Sequence, residues 1–496
     1  MRYLLALDQG TTSSRAIIFD ENGKLHATAQ REIQIQTPQS GWVEQDANEI
    51  WSTQIAVVQQ ALASAHLLAK DILALGLTNQ RETTVVWDKR TGQPLAPALV
   101  WQDRRAASWC NQLIQQGYVD KIHHKTGLRI DPYFSAGKLV WLLDNILNLR
   151  TLAEQGHVAF GTIDSWLIWN LTQGAEHVIE VSNASRTMLM NLEQQQWDQE
   201  LLDLFNIPDK LLPQIIHSDE YIADTAQGLL GSTIPIAGVL GDQQAALFGQ
   251  ACFEAGTAKN TYGTGCFMLF NTGTEIQYSK NQLLTTLAWN AQQQTHYALE
   301  GSVFMAGAIV QWLRDGLGII KHSQEIEKLA NQVTDTEGVV LVPAFTGLGA
   351  PYWDSDARAL LCGMSRGTNK AHIARAALEA IAFQVADVLT AMQSDLSQPL
   401  KQLRVDGGAS RNDMLMQFQA NILNVPVLRP KMHESTAWGA AAMAGLKIGV
   451  FNHLDEIAKT WQLDREFEPN MSDDQRQQYL EKWHNALIRA KSSLTV

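Results

Sequence analysis

A chain of 496 residues with 45% hydrophobic content has room for two or three domains with ample core, which excludes a wholly disordered protein. Its 38 lysines and arginines against 51 aspartates and glutamates give a net charge of −13, which excludes a general affinity for nucleic acid or an anionic membrane surface. Leu4 to Leu7 is cut short by Asp8 and no stretch approaches the ~18 apolar residues of a membrane span, so neither a secretory signal nor a membrane helix is expected, and the cytoplasm is the expected compartment. The cysteines, Cys110, Cys252, Cys266 and Cys362, lack metal-type spacing and sit among apolar neighbours, so buried free thiols are expected.

The segment Leu4 to Phe19 reads as strand, tight turn, strand: two short apolar runs flank Gly10-Thr11-Thr12-Ser13. Gly10 permits close backbone approach, and Thr11, Thr12 and Ser13 offer N–H and O–H donors to one concavity, a nest suited to phosphate. Arg15 adds positive charge, whereas Asp8 would repel phosphate unless a divalent cation lay between them, so Asp8 is read as a magnesium-side carboxylate. Taken alone, the turn could equally be an ordinary hairpin whose hydroxyls satisfy themselves.

Asn22-Gly23 signals a turn and Leu25 to Ile35 a returning strand. Asp46 with Glu49 forms a candidate capping box before Ile50, Trp51, Ile55, Val58 and Leu62 at helical spacing. The strand Ile72 to Thr78 ends in the polar cluster Asn79-Gln80-Arg81-Glu82, the place where open α/β sheets present ligand groups. Trp101 and Tyr133 each stand beside polar groups; a lone ring is more often structural. The segments Gly161 to Asp164 and Asn183 to Met188 carry no derivable role. A strand over Ile236 to Leu240 ends in Gly241-Asp242-Gln243-Gln244, and a helix opens at Ala245, near the seam between the halves.

Ala258 to Gly273 repeats the plan of the first hairpin around Gly263-Thr264-Gly265, half a chain later. The duplication tips the balance toward two similar domains that face each other across a nucleotide, one hairpin from each. Neither turn is a P-loop, because no Gly-Lys-Ser/Thr run occurs and a strand, not a helix, follows. Val303 to Leu313 reads as a helix with Gly307 and Gln311 on one face, and Phe345 to Trp353 as a Gly/Pro-rich loop. His372 to Thr390 reads as a long amphipathic helix. Leu403 to Asp406 runs into Gly407-Gly408, a pair that suits a flat ligand against backbone or a simple tight turn, and leads past Asn412 to a helix over Met414 to Leu423. A close-packed helix follows at Ala437 to Gly445, and from Arg465 a solvated terminal helix is expected.

Together these segments resemble the FGGY carbohydrate kinases, within the actin, Hsp70 and hexokinase superfamily. Tyr133, Ser135, Lys138, Trp141 and Asn145 fit the first family signature, and Ala359, Gly363, His372, Ala376 and Glu379 fit the second. The match runs from Tyr3 to about Phe467. Asn79 to Thr83, Trp101-Gln102, Asp131-Pro132-Tyr133 and Gly241 to Gln244 are those of members acting on glycerol.

The resemblance implies an α/β fold of two actin-like, ribonuclease H-like domains with mixed sheets facing a central cleft. Residues 1–249 would hold the acceptor and the first hairpin, and 250–496 the second hairpin and the adenosine site. It implies transfer from ATP, with Mg2+, to the 3-hydroxyl of glycerol, in a homodimer or homotetramer. Arg81, Glu82, Tyr133, Asp242 and Gln243 would contact the hydroxyls, and Trp101 and Phe267 would wall the carbon edge. ATP would lie between Thr11, Thr12, Ser13 and Arg15 on one side and Thr264, Gly307, Gln311, Gly408 and Asn412 on the other, with Asp8 toward the metal. Asp242 is the candidate base. The alternatives are a sister kinase for a ketopentose or another short polyol, and a nucleotide switch of the actin or chaperone kind. Some family members bind a sugar bisphosphate inhibitor through an arginine in a loop before an Ile-Pro pair. Here Gly231-Ser232-Thr233 precedes Ile234-Pro235, so fructose 1,6-bisphosphate at physiological concentration should leave activity nearly unchanged in a dose–response assay.

Overall fold

Continuous apolar runs, buried on both faces, build the first sheet: Leu4, Leu5, Ala6 and Leu7 lie in antiparallel register with Phe19, Ile18, Ile17 and Ala16, all of them fully buried. The structure is a computed structural model that describes residues 2–396 and 399–492. The first sheet has the strand order Ala223–Asp224, Pro235–Gly241, Ile72–Asn79, Tyr3–Gln9, Ser13–Asp20, Leu25–Glu32. Its three central strands are parallel and the Ser13–Asp20 and Leu25–Glu32 meander is antiparallel.

The second sheet repeats that plan. Val427–Pro430, Leu403–Asp406 and Ala258–Tyr262 are parallel neighbours, and the meander Cys266–Gly273, Gln294–Val303, Leu284–Ala291 continues antiparallel from them. Leu463–Phe467 closes its far edge. Two mixed sheets, each opening on a hairpin with a Gly/Thr tip, are what the repeated turns led one to expect. In both, the C-terminal ends of the parallel strands carry the turns where ligand groups gather.

The helix Ser435–Lys447 lies in sequence between two strands of the second sheet, Val427–Pro430 and Leu463–Phe467, yet packs on the first. Its small residues allow it: a Cβ at Gly76 would strike the Ala440 carbonyl, and one at Gly439 the Ala245 carbonyl. This close seat ties the two halves together through apolar backbone contact.

Several expectations are corrected. The segment from Val303 is the end of a strand, and the helix spans Gly307–Asp315. Asp46 caps its helix through the Asn48 N–H at 2.8 Å, but Glu49 turns to the Gln34 N–H rather than completing a box. The long helix covers Lys370–Asp395 and is buried on nearly every side, so it is a central core helix rather than an amphipathic one. The terminal helix, Asp473–Ala490, is exposed along most of its length, as expected, and is anchored by one face: Trp483 is fully buried and its Nε1 donates to Asp387 Oδ2 at 2.7 Å. Cys110, Cys252 and Cys266 are buried free thiols, while Cys362 is only half-buried. Among the described residues no helix is long and apolar enough to cross a membrane.

Candidate functional site

Both turns direct their carbonyls into the protein. In the first, the Gly10 carbonyl accepts from Gln9 and Gln80 amides, the Thr11 carbonyl from Gln45 Nε2 at 2.6 Å, and the Thr12 carbonyl from the Ile33 N–H at 3.0 Å. In the second, the Gly263 carbonyl accepts from the Gly307 N–H at 2.9 Å, and the Thr264 carbonyl from the Ala306 and Ala308 N–H groups. With carbonyls retained inside, the exposed tips at Thr12 and Thr264 present donors outward, the arrangement an anion requires. Gly265 is obligatory for this seat, since a Cβ there would strike the Val303 carbonyl.

Arg15, read from sequence as adding positive charge beside the first turn, is committed to two carboxylates: Asp8 Oδ2 at 2.5 Å and Glu434 Oε2 at 2.8 Å. Glu434 comes from the residue that precedes the cross-packed helix, so this pair also joins the two halves. Burial pushes the Asp8 carboxyl above its ordinary range, with Arg15 pulling the other way. Of the remaining predicted nucleotide contacts, Gly307 lies against the second turn, where a Cβ would come 2.6 Å from the Gly263 carbonyl. Gly408 has open space where its Cβ would be, beside the Gly407 turn that packs on Tyr262. Asn412 spends its side-chain oxygen capping Leu415 N at 2.9 Å, and Gln311 is exposed on its helix.

At the end of the strand Ile72–Asn79 the backbone turns sharply, and Glu82 adopts a left-handed φ of +60°. Strain of this kind persists only where surrounding contacts enforce it. Here they are ionic. Arg81 grips Glu300 with both nitrogens, at 2.6 and 3.0 Å; Arg186 donates to Glu82 at 2.7 Å and to Glu300 at 2.9 Å. All four side chains are essentially buried, two cations against two anions. Bracketed by two guanidiniums, Glu300 is held well below the usual carboxylate range, at about 2.

Asp242 begins the helix Asp242–Gly249 and approaches Arg81 Nε at 3.2 Å, yet its Oδ1 accepts no hydrogen bond. Its side chain keeps 29% exposure although neighbouring atoms surround it deeply, and that exposure lies away from Oδ1. Burial raises its carboxyl while Arg81 and Lys259 oppose the rise. With Oδ1 turned to Arg81 in an ion pair, the exposed remainder of the carboxylate, with Oδ2, is the part open to a proton donor.

Trp101 joins the pieces. Its Nε1 donates to Thr11 Oγ1 at 2.9 Å, its ring meets Tyr133 edge-on at 5.6 Å, and it meets Phe267, just past the second turn, at 6.4 Å. The loop bearing Tyr133 is fixed from beneath: Lys138, fully buried, donates to the Pro132, Tyr133 and Phe134 carbonyls, and Ser135 Oγ to the Glu82 carbonyl at 3.0 Å. The first signature is thus a support for this wall. Arg186 had no role assignable from sequence and Glu300 was missed; a lone glutamate in the strand segment Tyr297 to Val303 was the available signal.

Residues 3–249 match the FGGY family of carbohydrate kinases, N-terminal domain, and residues 258–448 match the C-terminal domain of the same family. The chain is 79% identical over 494 residues to the glycerol kinase of Acinetobacter baylyi, covering 100% of both chains. It is 57% identical to that of Deinococcus radiodurans, over 99% of this chain and 98% of that one. Among solved structures, Plasmodium falciparum glycerol kinase with ADP superposes with a TM-score of 0.92 at 36% identity, over 99% of this chain and 98% of the other. Matched in both halves and along its whole length, the chain belongs to the FGGY family of carbohydrate kinases.

Proposed function

We propose that this protein is an ATP:glycerol 3-phosphotransferase, which passes the terminal phosphoryl group of ATP to the 3-hydroxyl of glycerol and yields sn-glycerol 3-phosphate and ADP. The observation that carries the reading is the Trp101 bridge: one indole hydrogen-bonds the first Gly/Thr turn and meets the rings of Tyr133 and Phe267, while the Trp101 backbone N–H donates to Thr83 Oγ1, next in sequence to Arg81 and Glu82. This contact supports a reading in which donor and acceptor lie side by side. A three-carbon polyol has three hydroxyls and a weakly apolar edge, which suits several charged partners and a few rings.

In this reading Arg81, Glu82, Tyr133 and Gln243 orient glycerol, and Trp101 and Phe267 cover its carbon edge. Thr11, Thr12, Ser13 and Thr264 offer donors to the phosphates, and Gly408 leaves room for the adenosine beside Gln311 and Asn412. Asp242 takes the hydroxyl proton as the oxygen attacks. Magnesium suits the site: it is held by one or two carboxylates together with substrate phosphates and water, and Asp8 is a single carboxylate next to the first turn. Among the described residues no cluster of three or more His, Cys, Asp or Glu forms a metal cage, which agrees with such a shared site. When bound, the ion would neutralise charge on the phosphates.

The test is ADP release measured side by side with glycerol, dihydroxyacetone, xylulose and no acceptor. Glycerol is expected to be the fastest acceptor, with the acceptor-free rate at least ~100-fold lower, because positioning of the nucleophile supplies most of the catalysis. Faster turnover of xylulose would assign a sister kinase. Equal rates with and without acceptor would assign a nucleotide switch.

A further inference from the structure

Lys259 is the second residue of the strand that leads into the second phosphate turn, and its side chain is fully buried. Its Nζ donates to Gln243 Oε1 at 2.5 Å and to Thr261 Oγ1 at 2.8 Å. A buried ammonium group survives only where anions face it: here Asp406 on the neighbouring strand and Asp242 on the helix, with Glu300 beyond, against the opposing charge of Arg81. Burial pushes it down to about 8, which leaves the charged form dominant at neutral pH.

A lysine carries donors only, so the carboxamide of Gln243 must turn its oxygen toward Nζ and its NH2 group the opposite way. Among the described residues that NH2 group donates to no protein atom. The acceptor pocket already holds carboxylates at Glu82 and Asp242. Hydroxyls that donate to these carboxylates still have oxygen lone pairs that a donor can meet, and an amide flipped the wrong way would offer a further acceptor instead.

We propose that Lys259 is a positioning residue that locks the orientation of the Gln243 amide, so that its nitrogen faces glycerol as a hydrogen-bond donor. This rests on the placement of Gln243 in the glycerol pocket. Because Lys259 belongs to the second sheet and Gln243 follows the first, a strand of the nucleotide hairpin sets one contact of the acceptor.

The experiment is steady-state kinetics of the full-length enzyme carrying Lys259→Met, Lys259→Arg, Gln243→Ala, and Lys259→Met with Gln243→Ala. Gln243→Ala and Lys259→Met are each expected to raise the KM for glycerol about 10-fold, with the KM for ATP little changed. The double variant should be no worse than Gln243→Ala alone, because the lysine acts through the amide. Lys259→Arg, also donor-only, should restore most of the affinity. Multiplied effects near 100-fold in the double variant would overturn the proposal, as would an equal rise in both KM values in Lys259→Met. A normal glycerol KM in Lys259→Met beside a raised one in Gln243→Ala would overturn it too. A normal glycerol KM in Gln243→Ala would remove Gln243 from the pocket and the proposal with it. Should Lys259→Met not fold, Lys259→Gln serves, since an amide that both donates and accepts cannot enforce the flip; it should raise the glycerol KM, and a wild-type value would count against the proposal.

Discussion

Replacing Asp242 with asparagine is expected to lower glycerol-dependent turnover roughly 10²- to 10⁴-fold while ATP still binds. Asparagine keeps the shape and one carbonyl oxygen, so the helix that starts at this residue and the neighbouring Gln243 should remain in place. What is lost is the basic oxygen. In the native site Oδ1 is shielded and accepts no hydrogen bond, while Arg81 Nε lies 3.2 Å away. Arg81 thereby holds one oxygen by charge and leaves the exposed side of the carboxylate open, and the substitution removes the negative charge on which proton acceptance depends. Turnover is read as ADP release in a coupled assay and ATP binding by nucleotide titration at saturating glycerol. Near-normal turnover would take Asp242 out of the mechanism. Loss of ATP binding together with turnover would show that the residue shapes the cleft rather than the reaction.

How much of this site was legible in the sequence depended on how local its signals were. The strand-turn-strand units around Gly10 and Thr264 were readable because apolar runs and Gly/Thr turns lie within a few residues of each other. Arg81, Glu82, Asp242 and Gln243 were readable as polar residues at strand ends. Their electrostatic partners were not, because nothing near Arg81 in sequence points to Glu300, 219 positions away. Arg186 was seen within a polar run yet had no role until the fold brought Glu82, 104 positions distant, to its guanidinium. The same holds for Arg15, whose neighbours in sequence suggested phosphate while Glu434 stands 419 positions away. The misplacement of the helix start at Val303 has a different cause: a short apolar run reads equally as buried strand or helix, and pairing with Cys266–Gly273 decides it.

Replacing Glu300 with glutamine is expected to cost about 3–5 kcal/mol of stability near neutral pH, because it removes the one carboxylate both buried guanidiniums share and leaves them only Glu82 and the partly exposed Asp242. Arg81 and Arg186 both depend on Glu300, and both are essentially shielded from water that might compensate. The pH dependence follows from the position of this carboxyl, held at about 2 when folded against an ordinary value of 4.5. A depressed folded value means that Glu300 contributes its full stabilisation above the unfolded value, and that the contribution is lost as pH falls from about 4.5 toward 2. A protonated glutamate is nearly isosteric with glutamine. The stability gap between wild type and Glu300→Gln should therefore be widest at neutral pH and narrow steadily below about pH 4.5, a comparison made on urea midpoints at several pH values. A gap that stays constant down to pH 3 would mean that the loss comes from packing and not from charge. The same variant should weaken glycerol more than ATP, since it disturbs Arg81, a residue of the proposed acceptor pocket, while the two Gly/Thr turns proposed to hold phosphate keep their own supports.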